Sequence, residues 1–395
     1  MKILHILYQS IPNTAGSSIR SRDIVASQLA VSLTPIVITS PFQEPLVSGK
    51  KKEIIEGVTY YRTFSGYQNE VVSERRTGVF MQIRKAIRLF SFTVSIYKIV
   101  KHEKIDVLHA HAMFFCAFPA KIVSLLLKKP ILYEVRSLWE ERYKGKNFLL
   151  NVLFGAITLI ETIAMFLSNE VIAINKTLKF ELKSRFLLKN KEIHIVENAV
   201  NLNRITAKKV EREDQVFAYI GTISPIEGLD LLINAFNDLH NEGVKNKLVF
   251  YGDGVVLPEL KKLAKGNNLI EFRGRFSQYQ ITEVYSEVDI IINPRKQSFL
   301  TDSVTPLKPL EAMGYNKLIM ASNIGGMREI IEDDRTGILF EPDSVDSIKS
   351  AILDILNKKD INRINENALI YVKKKRSWKS NAVKYKDIYQ NLLNE

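Results

Sequence analysis

At 395 residues the chain is too long for one ordinary core, and two domains are the expected arrangement. Its 46% hydrophobic and 25% charged content is that of a folded globular protein, which excludes disorder and collagen-like structure, and a single cysteine, Cys116, excludes a disulfide framework and most thiolate metal sites. The net charge of +13 is unevenly shared: residues 1–200 hold 28 Lys and Arg against 16 Asp and Glu, and the remainder 28 against 27, so the first half points to an anionic partner such as a phospholipid surface, a phosphorylated acceptor or nucleic acid.

The chain opens MKILHILYQS, without the basic start, long apolar run and small-residue cleavage site of a signal peptide, so a cytoplasmic location is expected. Short apolar runs then alternate with longer helical patterns, which predicts a parallel α/β architecture. In the first half strands are expected at 2–8, 35–40, 58–63, 106–110, 131–135, 171–174 and 194–197. The second half restarts the pattern at 216–221 and continues at 247–252, 269–274, 289–294, 317–322 and 337–342. The domains are expected at 1–200 and 216–376, with the polar stretch 201–215 as hinge linker. Residues 377–395 read as a closing helix with Trp378, Val383, Ile388 and Leu392 at loosely helical spacing.

Two helical stretches of the first half have the composition of membrane-contacting segments. Residues 79–100 set Arg84, Lys85 and Arg88 among apolar residues, as interfacial helices do. Residues 148–168 are long and apolar enough to span a bilayer, but Asn151 and Glu161 interrupt them and a strand follows at once, so a buried or interfacial helix is expected. An anionic membrane surface is accordingly an expected partner, with the protein peripheral on it. No recognisable nucleic-acid recognition module is present, and nucleic acid is not expected as a partner.

The candidate chemistry lies beyond strand ends, where open α/β sheets bind ligands. After the first strand, Gly16 sits in a small-residue loop before a helix, where free backbone N–H groups suit a phosphate. His109 and His111 end the fourth strand on one face of it, and either can orient or deprotonate a hydroxyl. Glu134 and Arg136 follow the next strand and suit polar groups of an acceptor. In the second half, Gly221 and Thr222 begin one tight turn, and Gly252 and Gly254 form another. Arg295 and Lys308 are cations beside an open loop and suit a diphosphate. Pro309, Leu310 and Glu311 follow on a helix, where the carboxylate suits ribose hydroxyls, and Gly325 and Gly326 open a further phosphate-compatible helix end. No complete Gly-x-Gly-x-x-Gly follows any strand, against a nicotinamide dehydrogenase. No Asp-x-Asp cation site stands out, and no metal or cofactor is expected.

Together the HAH turn, VENAV (196–200), GLDLLINAF (228–236), YGDG (251–254), PLKPLEAMG (306–314), NIGGMREII (323–331) and TGILFEPD (336–343) resemble glycosyltransferase family 4 over essentially the whole chain. The strings HAH, YEVRSLWEE and VTPLKPLEAM are most similar to its exosortase-associated (PEP-CTERM-type) subgroup. The resemblance implies the GT-B fold, two Rossmann-like domains facing across a cleft, and transfer with retention from a nucleotide diphosphate-sugar to a glycan or lipid-linked acceptor. By that likeness the second domain binds the donor, Glu311 holds the ribose, Arg295 and Lys308 meet the diphosphate, and His111 acts at the acceptor. The chain departs from the family pattern at Ser303, where the first carboxylate of a Glu–seven residues–Glu pair is usual. It also carries Thr222 and Glu227 where relatives carry Arg and Lys. A nucleotide-sugar epimerase of the same fold and a non-catalytic binding protein remain as alternatives.

Overall fold

The computed structural model describes residues 1–13, 16–43, 50–63, 79–145, 147–206, 212, 214–357 and 360–394. The chain divides into two compact units, Met1–Glu197 with Trp378–Glu395, and Asn198–Ser377.

Unit 1 is built on β1 (Lys2–Leu7), α1 (Gly16–Leu29), β2 (Thr34–Thr39), β3 (Lys52–Ile55), β4 (Val58–Arg62) and α2 (Val79–Glu103). It continues with β5 (Val107–His111), α3 (Phe114–Leu127), β6 (Ile131–Val135), α4 (Phe148–Leu167), β7 (Glu170–Ala173), α5 (Lys176–Ser184) and β8 (Ile193–Ile195). The eight strands lie in the order β3-β4-β2-β1-β5-β6-β7-β8, parallel except at the β3–β4 hairpin. Seven of them stand where the apolar runs predict strands. β3 was not expected, because KEII is an edge strand with only intermediate or exposed side chains. Right-handed crossovers put α2 to α5, which step from β4 to β8, on one face of the sheet, while α1, stepping from β1 back to β2, covers the other.

Unit 2 contains β9 (Phe217–Ile220), α6 (Leu229–Asn241), β10 (Leu248–Tyr251), α7 (Leu257–Leu263), β11 (Ile270–Gly274), α8 (Ile281–Ser286) and β12 (Ile290–Asn293). There follow α9 (Phe299–Ser303), α10 (Lys308–Gly314), β13 (Leu318–Ser322), α11 (Gly325–Arg328), β14 (Ile338–Phe340), α12 (Val345–Asn357) and α13 (Ile361–Lys375). Its six strands run β11-β10-β9-β12-β13-β14, all parallel, the doubly wound order whose direction reverses between β9 and β12. Alternation fills both faces: Phe217 and Tyr219 of β9 join a core with α6 and α12, and Ala218 and Ile220 join one with α10 and α13.

The junction differs from the expected hinge at 201–215. The division falls at Glu197, and Leu202 and Ile205 pack against the unit 2 core. Residues 207–211 and 213 lie outside the described residues. The closing helix is present as α14 (Trp378–Asn394), and it belongs to unit 1, where it packs on α1. Its buried apolar face is Trp378, Ala382, Tyr385, Ile388, Tyr389 and Leu392, the three- and four-residue spacing of a helix face; of the four residues expected there only Val383 is exposed.

Candidate functional site

In unit 1 the two histidines of β5 point, as alternation requires, to the side covered by α1 and α14. There they meet His5 of β1, Glu134 of β6 and Arg136 just beyond it. The contacts form a ring. Arg136 Nη2 donates to His111 Nδ1 (2.5 Å), His111 Nε2 meets His5 Nδ1 (2.9 Å), and His5 Nε2 meets Gln28 Oε1 (2.9 Å). Gln28 Nε2 donates to the Tyr389 hydroxyl (3.0 Å), which lies 2.7 Å from His109 Nδ1, and His109 Nε2 faces Glu134 Oε2 at 3.6 Å. Arg136 Nε donates to Glu134 Oε1 (2.8 Å), which closes the ring.

One set of proton positions serves these contacts with each histidine neutral: His111 and His5 carry the proton on Nε2, and so does His109, whose Nε2 faces Glu134 without a hydrogen bond to it. Burial pulls the same way. It lowers His5 to about 3, with His111 adding to the effect, and lowers His111 to about 4, helped by Arg136. Burial opposes ionisation of Glu134, yet Arg20 and Arg136 hold its carboxyl well below the usual range. Arg20 Nε donates to it at 3.1 Å, and Tyr385 of α14 donates a further hydrogen bond.

This arrangement bears on the residues expected at the acceptor. His111 is 2% exposed and both of its ring nitrogens are engaged, so no lone pair is left for a substrate hydroxyl. His109 and Glu134 are fully buried beside it. Arg136 is spent on Glu134, His111, the Ser17 carbonyl and the Ser21 hydroxyl. The ring nitrogens of His5, His109 and His111 lie within 4.8 Å of one another, the spacing of a possible metal site. Two guanidiniums at Glu134 and the mutual histidine contacts oppose a cation there. Gly16 opens α1 with free space around its Cα, and Thr14 and Ala15 of the expected phosphate loop lie outside the described residues.

Unit 2 brings its expected cations to the carboxyl ends of β9 and β12, where the sheet order reverses. Lys308, at the start of α10, extends its ammonium over the Tyr219 ring, 5.3 Å from the centroid, without a hydrogen-bond acceptor among the described residues. A Cβ on Gly221 would stand 1.6 Å from that ammonium, so only glycine leaves Lys308 its place. Burial draws the Lys308 pKa down; Glu227 resists this and Arg295 adds to it. Arg295 touches Glu227 through Nη2 (3.4 Å), while its Nε and Nη1 are buried without a partner. Unpaired buried donors cost about 1–3 kcal/mol each, so a pair on one guanidinium marks a place kept for an acceptor. Glu227, noted in sequence as a departure, is thus the carboxylate that holds Arg295.

The other expected donor residues divide. Glu311 is half-buried and accepts from the Tyr285 hydroxyl at 3.4 Å. Thr222 is exposed beside Gly221. Gly252, at φ +145°, and Gly254 let the turn after β10 lie against the backbone at Gly221 and Ile223, where a Cβ would meet carbonyl oxygens at 1.7 and 1.9 Å. Pro309 and Leu310 face inward; Leu310 is wholly buried in the core, which corrects its assignment to the ligand surface. Gly325 and Gly326 also require correction as an open phosphate site. The Asp302 carboxylate already accepts from Gly325 N (2.6 Å), and the glycines admit the backbone of residues 301–304. Ser303 is fully buried and donates to the Leu300 carbonyl (3.2 Å), so no charged group stands at that position.

Residues 56–204 match the family described as Glycosyltransferase Family 4, and residues 214–358 match Glycosyl transferases group 1. An uncharacterized glycosyltransferase of Methanocaldococcus jannaschii is 27% identical over 316 residues, covering 78% of this chain and 83% of that protein. The lipopolysaccharide 1,2-N-acetylglucosaminetransferase of Salmonella typhimurium is 29% identical over 193 residues, covering 46% of this chain and 50% of that protein. Among solved structures, Anabaena HepE in complex with UDP superposes with a TM-score of 0.71 at 14% identity, over 99% of this chain and 100% of that one. That likeness is one of fold, two α/β domains of the GT-B kind.

Proposed function

Since this chain is a glycosyltransferase of the GT-B fold, with a family 4 match in its first half and a group 1 match in its second, we propose that it moves a sugar from a nucleotide diphosphate-sugar to an acceptor hydroxyl with retention of configuration. The donor diphosphate binds unit 2 at the ends of β9 and β12. The observation that carries this reading is the pair of cations left open there, Lys308 Nζ beside Gly221 and the unpartnered Nε and Nη1 of Arg295. The acceptor oxygen bonds to the anomeric carbon on the face that the diphosphate oxygen leaves, and the departing diphosphate takes the electron pair and the proton of the acceptor hydroxyl. Arg295 and Lys308 meet the charge that grows on it, and no metal is needed for that role. Glu311, on the helix that Lys308 starts, accepts from the ribose hydroxyls.

The acceptor is a glycan or lipid-linked glycan made on the cytoplasmic side of a membrane, and unit 1 recognises it. Support comes from the lipopolysaccharide enzyme among the relatives, from the basic charge of the first half, and from the likeness of HAH, YEVRSLWEE and VTPLKPLEAM to the exosortase-associated subgroup. The test is nucleotide release from UDP-, GDP- and dTDP-sugars, with and without membrane lipid extract. Release of one nucleotide only in the presence of extract is expected and names the donor. Binding of a donor with no release under any condition would overturn the reading.

A further inference from the structure

The apolar stretches of unit 1 take no part in the chemistry above, and the fold places them side by side. α2, α3 and α4 are successive crossover helices on one face of the sheet, each touching the next. On α4 apolar side chains stand on both sides, Ile157, Ala164 and Met165 inward. Its inward side carries Glu161 and Thr162, with Glu161 accepting from the Phe114 amide (2.9 Å), the Tyr133 hydroxyl (2.6 Å) and Trp139 Nε1 (2.7 Å). Its outward side exposes Phe148, Leu149, Val152, Leu153, Leu159 and Phe166, an apolar stripe at helical spacing with no charge in it. On neighbouring α3, Ile122, Leu125 and Leu126 extend the same surface. Leu125, Leu126, Phe148 and Leu149 are each at least 66% exposed. Contiguous apolar surface of this kind marks an interaction site.

The surrounding charge identifies the partner. Residues 112–191 contain 13 Lys and Arg against six carboxylates, and Glu134, Glu140, Glu161 and Glu170 of those six are buried. The accessible charge around the stripe is therefore strongly basic. Lys121, Lys128 and Lys129 share a recess of about 520 Å³ with Leu125, and its carboxylate, Asp106, is held by the Lys2 amide at 2.7 Å. Asn169 lines the same recess, which therefore lies by the carboxyl end of α4, where Lys191 Nζ donates to the Phe166 carbonyl at 3.1 Å. A protein partner for such a face would have to be both apolar and acidic, whereas an anionic bilayer offers both properties over any area.

We propose that the α2–α3–α4 face of unit 1 docks on an anionic phospholipid membrane, with α4 lying along the interface. The α4 stripe enters the acyl boundary and the flanking lysines meet lipid phosphates. α4 has the length and composition to cross a bilayer, but as the β6–β7 crossover, tied inward through Glu161, it lies on the surface and does not span it. This inference stands apart from the sugar-transfer reading and is tested without it.

The experiment is flotation of the full chain with vesicles of equimolar phosphatidylglycerol and phosphatidylcholine, and with phosphatidylcholine alone. The protein is expected to float with the anionic vesicles and much less with the neutral ones. A variant with Leu125→Ser, Leu126→Ser, Phe148→Ser and Leu149→Ser, and a second with Lys128→Glu and Lys129→Glu, are each expected to bind about tenfold more weakly or worse. All six replaced side chains are exposed except Lys129, which is half-buried, and circular dichroism and melting temperature should match the parent. Parent-like flotation by folded variants overturns the proposal, as does failure of the parent to bind anionic vesicles. A lipid-free dimer that the four-serine variant turns into monomer also overturns it, by giving the face to a second copy of the chain.

Discussion

His109 and Tyr389, 280 residues apart in the chain, are joined by a 2.7 Å hydrogen bond between His109 Nδ1 and the tyrosine hydroxyl. Both residues are fully buried, and the same hydroxyl accepts from Gln28 Nε2. Tyr389→Phe leaves two buried polar groups unpaired while keeping the ring. It is expected to destabilise unit 1 by about 1–3 kcal/mol, measured by denaturant unfolding followed through unit 1. A loss below the error of the measurement would mean that water replaces the hydroxyl.

The histidine ring also sets a pH dependence. His5 and His111 ionise in the fold only near pH 3 and pH 4, against 6.5 in the unfolded chain. Between those values the unfolded chain binds protons that the folded one does not. The stability they contribute is therefore full above pH 6.5 and is lost as pH falls, down to about 4 for His111 and about 3 for His5. Glu134, whose carboxyl is held low by Arg20 and Arg136, gives up its share only below the usual carboxylate range of 4.5. The melting temperature of unit 1 should fall steadily from pH 7 to pH 5, and a flat profile would contradict the neutral histidines.

At the donor end, Lys308→Ala should lower turnover by about a hundredfold to a thousandfold, the effect of removing one preorganised charge at a leaving group. Stability should hold or rise, because a buried ammonium without an acceptor is removed. Steady-state kinetics and a melting curve on one preparation check both parts.

Gly221→Ala should imitate that loss by a different route. The new methyl group falls on the Lys308 ammonium and drives it from its place. The double variant should then be no worse than the poorer single one, since both remove one interaction. Multiplicative losses in the four-way kinetic comparison would show that glycine and lysine act independently.

Glu161→Leu should prove costly although it places an apolar residue on an apolar helix. It strips the acceptor from the Phe114 amide, the Tyr133 hydroxyl and Trp139 Nε1 at once. A loss of about 3–5 kcal/mol is expected in equilibrium unfolding, as when one side of a buried polar network is removed.

The strands were readable because parallel sheets bury both faces and their apolar runs are short and bounded. β3 escaped because its alternation is set among lysines; the available signal was the Glu56–Gly57 pair, which turns the hairpin with φ of 50° and 79°. Alternation placed His109 and His111 on one face. What covers that face is tertiary information, and so their shielding by α14 was not legible. The spacing of Tyr385 and Tyr389 with Trp378 and Leu392 carries the signal of that helix's buried face, which the exposed Val383 does not share. Lys308 and Arg295 were readable as cations near a loop. The close approach of Lys308 to Gly221 depends on strand order, which brings together ends some ninety residues apart in sequence. A motif records which residues recur together, not which of them face a ligand and which face the core, and so it does not tell that Leu310 and the Gly325–Gly326 pair pack against protein.

The chain leaves unit 1 at Glu197 and returns to it only at Trp378, so unit 1 is completed by residues made after the whole of unit 2. During synthesis, unit 2 has its whole sequence and can close its sheet while unit 1 still lacks the helix that covers its histidines. Until α14 arrives, Gln28, His109 and Glu134 must satisfy their polar groups with water. A chain cut off between Ser377 and α14 would therefore have a finished unit 2 and an unfinished unit 1. Quality control could recognise that difference from the state of unit 1 alone.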